Sequence, residues 1–162
     1  MSDARETVEL IACVTCGSAD RETHGSTRGE RFYAQLQAAR DELGAASIAV
    51  SSTRCLWACT RPCSVHARAP GRAGYVLCDF EPTPEAARGV LAWAKMYAAT
   101  SDGAVPFKER PEAVRGHFLC RVPPVPWSGG APEAKNEPAT PDLEDESEQA
   151  SDDDRDRLSR QR

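Results

Sequence analysis

Five of the seven cysteines in this chain fall in two short stretches, Cys13-Val-Thr-Cys16 and Cys55-Leu-Trp-Ala-Cys59-Thr-Arg-Pro-Cys63. A fold that accepts this pattern must bond these thiols, bury them or bring them to one ligand, which constrains it more than any other feature of the chain. The compartment decides among these fates. Met1-Ser-Asp-Ala-Arg-Glu is polar, no apolar segment of signal-peptide length precedes Cys13, and no run approaches eighteen apolar residues. The expectation is a cytoplasmic protein with no membrane span. In a reducing compartment an odd number of cysteines does not make a disulfide framework, so clustered thiols read as metal ligands or redox groups.

The surrounding pattern predicts how the two stretches are held. Val8, Leu10 and Ala12 alternate with Glu9, Ile11 and Cys13, as in a buried strand that ends at the first thiol pair. Gly17 to Gly29 is polar and aperiodic and reads as a loop. From about Glu30 the residues Phe32, Leu36, Ala39 and Leu43 recur at helical spacing, and Gly44 stands where a left-handed residue ends a helix. Ser47 to Ser51 reads as a second strand leading into the Cys55–Cys63 turn. Ser64 to Ala67 and Tyr75 to Phe80 read as two more strands joined by Pro70-Gly-Arg-Ala-Gly74. Thr83-Pro84-Glu85 caps a last helix whose apolar face is Ala87, Leu91, Ala94 and Ala98, with Val90 and Tyr97 beside them.

This order predicts an α/β fold, a thioredoxin-like sandwich with a small four-stranded mixed sheet: β-α-β, then a β-hairpin and a C-terminal helix. If the first two strands are parallel neighbours, both thiol stretches leave the same edge of the sheet, where ligands collect in such folds. Residues 1–7 are expected to be flexible and 8–127 to form the domain. Within it 101–127, which holds Pro106, Pro111, Pro123, Pro124 and Pro126, reads as an extended arm. From Ser128 onward eleven acidic residues face five basic ones, so 128–162 reads as a disordered acidic tail. The body, with fourteen acids and fifteen bases, is nearly neutral and carries no footprint of nucleic-acid binding.

Sulfur donors suit a zinc ion or an iron-sulfur cluster. A zinc ribbon uses two C-x-x-C knuckles, whereas here the second series is C-x3-C-x3-C, which favours iron-sulfur. Arg54 and Arg61 flank the turn and could lend it positive charge, and Trp57 reads as a shield or as packing. Cys78 and Cys120 read as buried core thiols. His66, three residues after Cys63, is the one histidine near the thiols at a typical zinc spacing. His24, His66 and His117 show no mutual spacing of a catalytic or metal constellation, and no hydrolase triad, phosphate loop or H-E-x-x-H motif is present.

The two thiol stretches, together with Tyr97-Ala-Ala-Thr-Ser-Asp-Gly-Ala-Val-Pro106, Lys108-Glu-Arg-Pro111 and Arg121-Val-Pro-Pro124, resemble the bacterial DUF1636 proteins over about residues 8–124. The resemblance implies metal binding and, from the genes beside which that family is often encountered, a link to cobalamin biosynthesis. The Cys-Leu-x-x-Cys turn followed by Pro and a strand is also similar to the thioredoxin-like [2Fe-2S] ferredoxins, in which two loops give two thiolates each. This chain departs from them in the short gap between Cys13 and Cys16, in Trp57 where Gly is usual, and in the added Cys63. The ligand set expected is Cys13, Cys16, Cys55 and Cys59, with Cys63 as a fifth candidate.

The function so implied is one-electron transfer by a [2Fe-2S] cluster to a partner protein. The alternative is a Zn2+ or Co2+ carrier that hands metal to a receiving partner, and the third reading is a dithiol oxidoreductase using Cys13 and Cys16. The first two describe an electron carrier or metal-binding protein rather than an enzyme. Neither nucleic acid nor a membrane is an expected partner, and a homodimer is an admissible assembly state.

Overall fold

The computed structural model describes residues 8–124. The expected flexible N-terminus (1–7), the end of the arm (125–127) and the acidic tail (128–162) lie outside the described residues. Within them the first strand is β1, Val8–Cys13, with Val8, Leu10 and Ala12 on its buried face. A short helix, α1 (Asp20–His24), follows in the stretch expected to be all loop; it buries no side chain. The helix α2, Arg28–Glu42, starts two residues before the expected point, because Thr27 and Glu30 form a capping box. Its stripe of Phe32, Leu36 and Ala39 is buried as the periodicity predicts, and Gly44 beyond its end has φ 57°.

Next come β2 (Ile48–Thr53), β3 (Val65–Arg68) and β4 (Gly74–Leu77), each within a few residues of its expected place. The helix α3, Pro84–Ala98, has the expected Thr83 cap and buries Ala87, Val90, Leu91, Trp93, Ala94 and Tyr97. Burying a side chain of Leu, Val or Phe size contributes about 1.5–3 kcal/mol, so the apolar stripes of α2 and α3 hold the two layers together.

The sheet has five strands, not the four expected. Residues 101–124 are not a plain extended arm: they make two 3-10 turns, Phe107–Glu109 and Glu112–Val114, and a strand, β5, at Phe118–Val122. β5 pairs antiparallel with β4 through an irregularity at Val76/Leu77. It is fastened by Phe118, whose ring lies edge-on to Tyr75 at 5.6 Å and to Trp93 at 5.3 Å. The result is an open mixed sheet of order β2-β1-β3-β4-β5, with β1 and β2 parallel and β3 antiparallel to β1.

The face made by Leu10, Ile48, Val65, Ala67, Tyr75 and Leu77 is buried with α2 and α3 in one core. The opposite face carries Glu9, Ala49, Ser51, His66 and Arg68, none of them fully buried. Among the described residues no helix is long and apolar enough to cross a membrane.

Candidate metal centre

The parallel register of β1 and β2 determines where the thiols meet. Cys13, the last residue of β1, stands opposite Thr53, the last of β2. The chain segments that continue from both strands therefore leave side by side, one carrying Cys16 and the other Cys55 and Cys59. Val14 N–H donates to the Thr53 carbonyl at 3.0 Å, and the Cys13 Sγ–H donates to the Arg54 carbonyl at 3.7 Å. Thr15 Oγ1 also donates to the Arg54 carbonyl. The two thiol segments are thus stitched together by main-chain acceptors.

A third segment holds the first pair from below. The N-cap Thr27 hydroxyl accepts from Glu30 N–H at 3.0 Å and donates to the Val14 carbonyl at 2.5 Å. Gly29 N–H, in the first turn of α2, donates to the Cys16 carbonyl at 3.0 Å. Glycine is required there, since a Cβ would sit 2.1 Å from the Cys13 carbonyl oxygen. The sequence places α2 a dozen residues after Cys16, yet the fold returns its N-terminus to the thiol turn, where the helix dipole favours negative charge.

Cys63 enters from a fourth segment. It is fully buried, its neighbour Ser64 meets Cys16 Sγ at 3.5 Å, and the Ser64 carbonyl accepts from Cys13 N–H at 3.0 Å. Cys13, Cys16 and Cys63 are therefore buried around the end of β1, whereas Cys55 and Cys59 are exposed. Among the described residues no three Cys, His, Asp or Glu side chains converge closely enough to share an ion.

The thiols differ in acidity for identifiable reasons. Burial acts to raise Cys13, but hydrogen bonds to its sulfur from Leu56 N–H, Cys16 and Thr15 outweigh it, and the net direction is down. Cys16 is raised, first by burial and then by the adjacent Cys13, against the help of Ser64. Burial and the charge of Cys16 push Cys63 up to about 12. Cys59 is raised by the hydrogen bond and charge of Cys55. Trp57 N–H donates to Cys55 Sγ at 3.2 Å.

Several neighbours depart from expectation. Trp57 neither shields nor packs: it is 91 % exposed with φ 63°, a left-handed backbone that non-glycine residues adopt rarely. Arg61 pairs with Asp79 at 2.5 Å, so its charge is compensated away from the thiols. Cys78 is buried as expected, but Cys120 is exposed, because it lies on the edge strand β5 with no described element covering it. His117 has a structural place: its Nδ1 meets the Cys78 carbonyl at 2.7 Å and its ring stacks on Phe80 at 4.3 Å. Ser64 and Thr27 are the contributors that sequence reasoning missed. The signal for Ser64 was its adjacency to Cys63, and that for Thr27 was the capping-box spacing Thr27-Arg-Gly-Glu30, which marks a helix start and says nothing of the thiols.

Comparison with known proteins gives a family and little else. The model of a family described as "Protein of unknown function (DUF1636)" matches residues 10–124. No curated protein matches the chain, and no solved structure does.

Proposed function

The chain belongs to the DUF1636 family, and from that premise we propose that it is a sulfur-ligated metal protein, a ferredoxin-like carrier of single electrons built around a [2Fe-2S] cluster. One observation carries this reading. Two segments, each bearing two of the expected ligands, leave the same end of parallel neighbours β1 and β2 and are joined through the Arg54 carbonyl, which accepts from Cys13 Sγ–H and Thr15 Oγ1.

The four sulfur donors suit such a group by their chemistry, with Cys13 already acidified by hydrogen bonds and Cys55 accepting from a main-chain N–H. Loading requires them to close in, since among the described residues no three candidate ligands converge. Cys13, Cys16, Cys55 and Cys59 would hold the cluster, which when bound supplies reversible one-electron chemistry. The chain's own part is to keep the inner pair dry and the outer pair at the surface. Cys13 and Cys16 are enclosed by Thr27, Gly29 and Ser64, while the exposed Cys55 and Cys59 face whatever docks. The strand order β2-β1-β3-β4 with β3 antiparallel supports reading the fold as a thioredoxin-like sandwich with β5 as an edge addition, and we adopt that reading.

The exposure of Cys55 and Cys59 favours a second reading, a Zn2+ or Co2+ carrier, because a metal held by accessible thiolates can be taken by ligands of a receiving partner. The cobalt form would tie the protein to corrin synthesis. Anaerobic purification followed by iron and acid-labile sulfide analysis, with paramagnetic resonance after reduction, separates the two. Iron and sulfide in equal amounts, lost in Cys13→Ser or Cys55→Ser, is the expected result. A colourless protein that takes up a divalent ion without sulfide selects the carrier, and binding of neither overturns both.

A further inference from the structure

Three buried side-chain nitrogens lack a hydrogen-bond partner among the described residues, and two of them, His66 Nε2 and Arg72 Nη1, belong to residues lining one cleft. The third, Trp93 Nε1, lies in the core. The cleft has a volume of about 520 Å3 and opens on the sheet face away from α2 and α3, where Glu9, Ala49, His66 and Arg68 stand. A cleft of that size suits a small molecule. It is remote from the thiols: Glu9 precedes Cys13 by four positions on β1, roughly 13 Å of strand.

The charge in this cleft is not balanced. Its one carboxylate, Glu9, is fully engaged, with Ser51 Oγ donating to Oε1 at 2.8 Å and Arg68, its cross-strand partner, donating to Oε2 at 2.8 Å. Arg68 is thereby compensated, and Arg72 is left as the cation without an acidic partner among the described residues. The floor is kept low by Gly74, where a Cβ would approach His66 Nε2 to 3.0 Å and the Ala67 carbonyl to 3.1 Å. The remaining wall is apolar, from Ala49, Pro70 and Val122.

We propose that this cleft binds a small organic anion, an apolar body bearing a carboxylate or phosphate head, with the Arg72 guanidinium on the head group and Ala49, Pro70 and Val122 against the body. Guanidinium recognises both heads through paired N–H donors, and among the described residues that of Arg72 has an Nη1 without an acceptor and no acidic partner. A cation is disfavoured because the only carboxylate there already has both oxygens occupied.

The test is a titration of the full-length 15N-labelled protein with benzoate, with phenyl phosphate and with uncharged benzyl alcohol, followed by amide chemical shifts. The expected result is saturable shifts around Ala67–Gly74 and Val122 with at least one anion and no saturation with the alcohol. The tighter anion identifies the head group. Arg72→Gln, and separately Ala49→Glu, which sets a carboxylate on the wall, should each weaken binding by about tenfold or more, with the amide spectrum elsewhere unchanged. Absence of saturation with both anions, equal response to the alcohol, or wild-type affinity in both variants overturns the proposal.

Discussion

At the scale of single residues, the thiols form a graded set rather than a uniform cluster. Cys63 is fully buried and raised to about 12, while Cys55 and Cys59 are exposed. Reduced, metal-free protein treated briefly with iodoacetamide at mild alkaline pH should therefore carry label first at Cys55, Cys59 and Cys120 and last at Cys63, read by peptide mass spectrometry. Prompt labelling of Cys63 would contradict its burial. Gly29 is the second residue with a sharp consequence. A methyl group there meets the Cys13 carbonyl at 2.1 Å, so Gly29→Ala should destabilise the fold by about 1–3 kcal/mol, the range for overpacking, measured by urea denaturation. Neither property was legible in the sequence. The spacing identified which thiols to group, but burial of one end of the group and exposure of the other depends on β3 and α2 packing around β1. Trp57 shows the same limit, because an indole in a cysteine-rich turn reads as packing until the backbone is seen to turn it outward.

At the scale of elements, the two long helices were readable because each repeats an apolar stripe, and α3 also because Thr83 caps it; the Thr27 cap that starts α2 two residues early was not read. The caps are not equivalent. Thr83 serves its helix alone, accepting from Ala86 N–H at 3.2 Å, whereas Thr27 also bonds the Val14 carbonyl between the two inner thiols. Thr83→Ala should cost about 1 kcal/mol, the usual value of a cap, with metal content unchanged. Thr27→Ala should cost more than that in thermal denaturation and also lower the metal bound per chain, since it frees the thiol turn; equal behaviour of the two variants would deny Thr27 that second role. β5 was not readable. Its five residues lie between prolines, alternate poorly and expose three side chains, and what makes them a strand is the aromatic anchor of Phe118 on Tyr75 and Trp93, contacts that no local pattern encodes.

At the scale of the whole molecule, the sheet shows two different faces, and the one without α2 and α3 determines a pH response. His66 is lowered below 6.5 chiefly by burial and then by Arg68, with Glu9 opposing. The unfolded chain thus binds a proton more readily than the folded one, so this residue leaves stability intact above about 6.5 and withdraws it as pH falls through the lower folded-state value. Denaturation midpoints should decline between neutral and mildly acidic pH, and His66→Gln should flatten that decline; an unchanged slope would remove His66 as its source. The same view explains how the site is assembled. Its frame draws on Cys13 to Cys16, Thr27 to Gly29, Arg54 and Ser64, with the Cys13–Arg54 bond spanning 41 positions and the Cys16–Ser64 contact 48. Contacts of such separation form late, because loop closure precedes their reward. In a chain emerging from synthesis, Cys13 and Cys16 are therefore made well before β2 (Ile48–Thr53) and the Cys55 and Cys59 that follow it. During that interval the first pair meets oxidants and stray ions alone, so the order of events, folding first and loading second, is built into the connectivity.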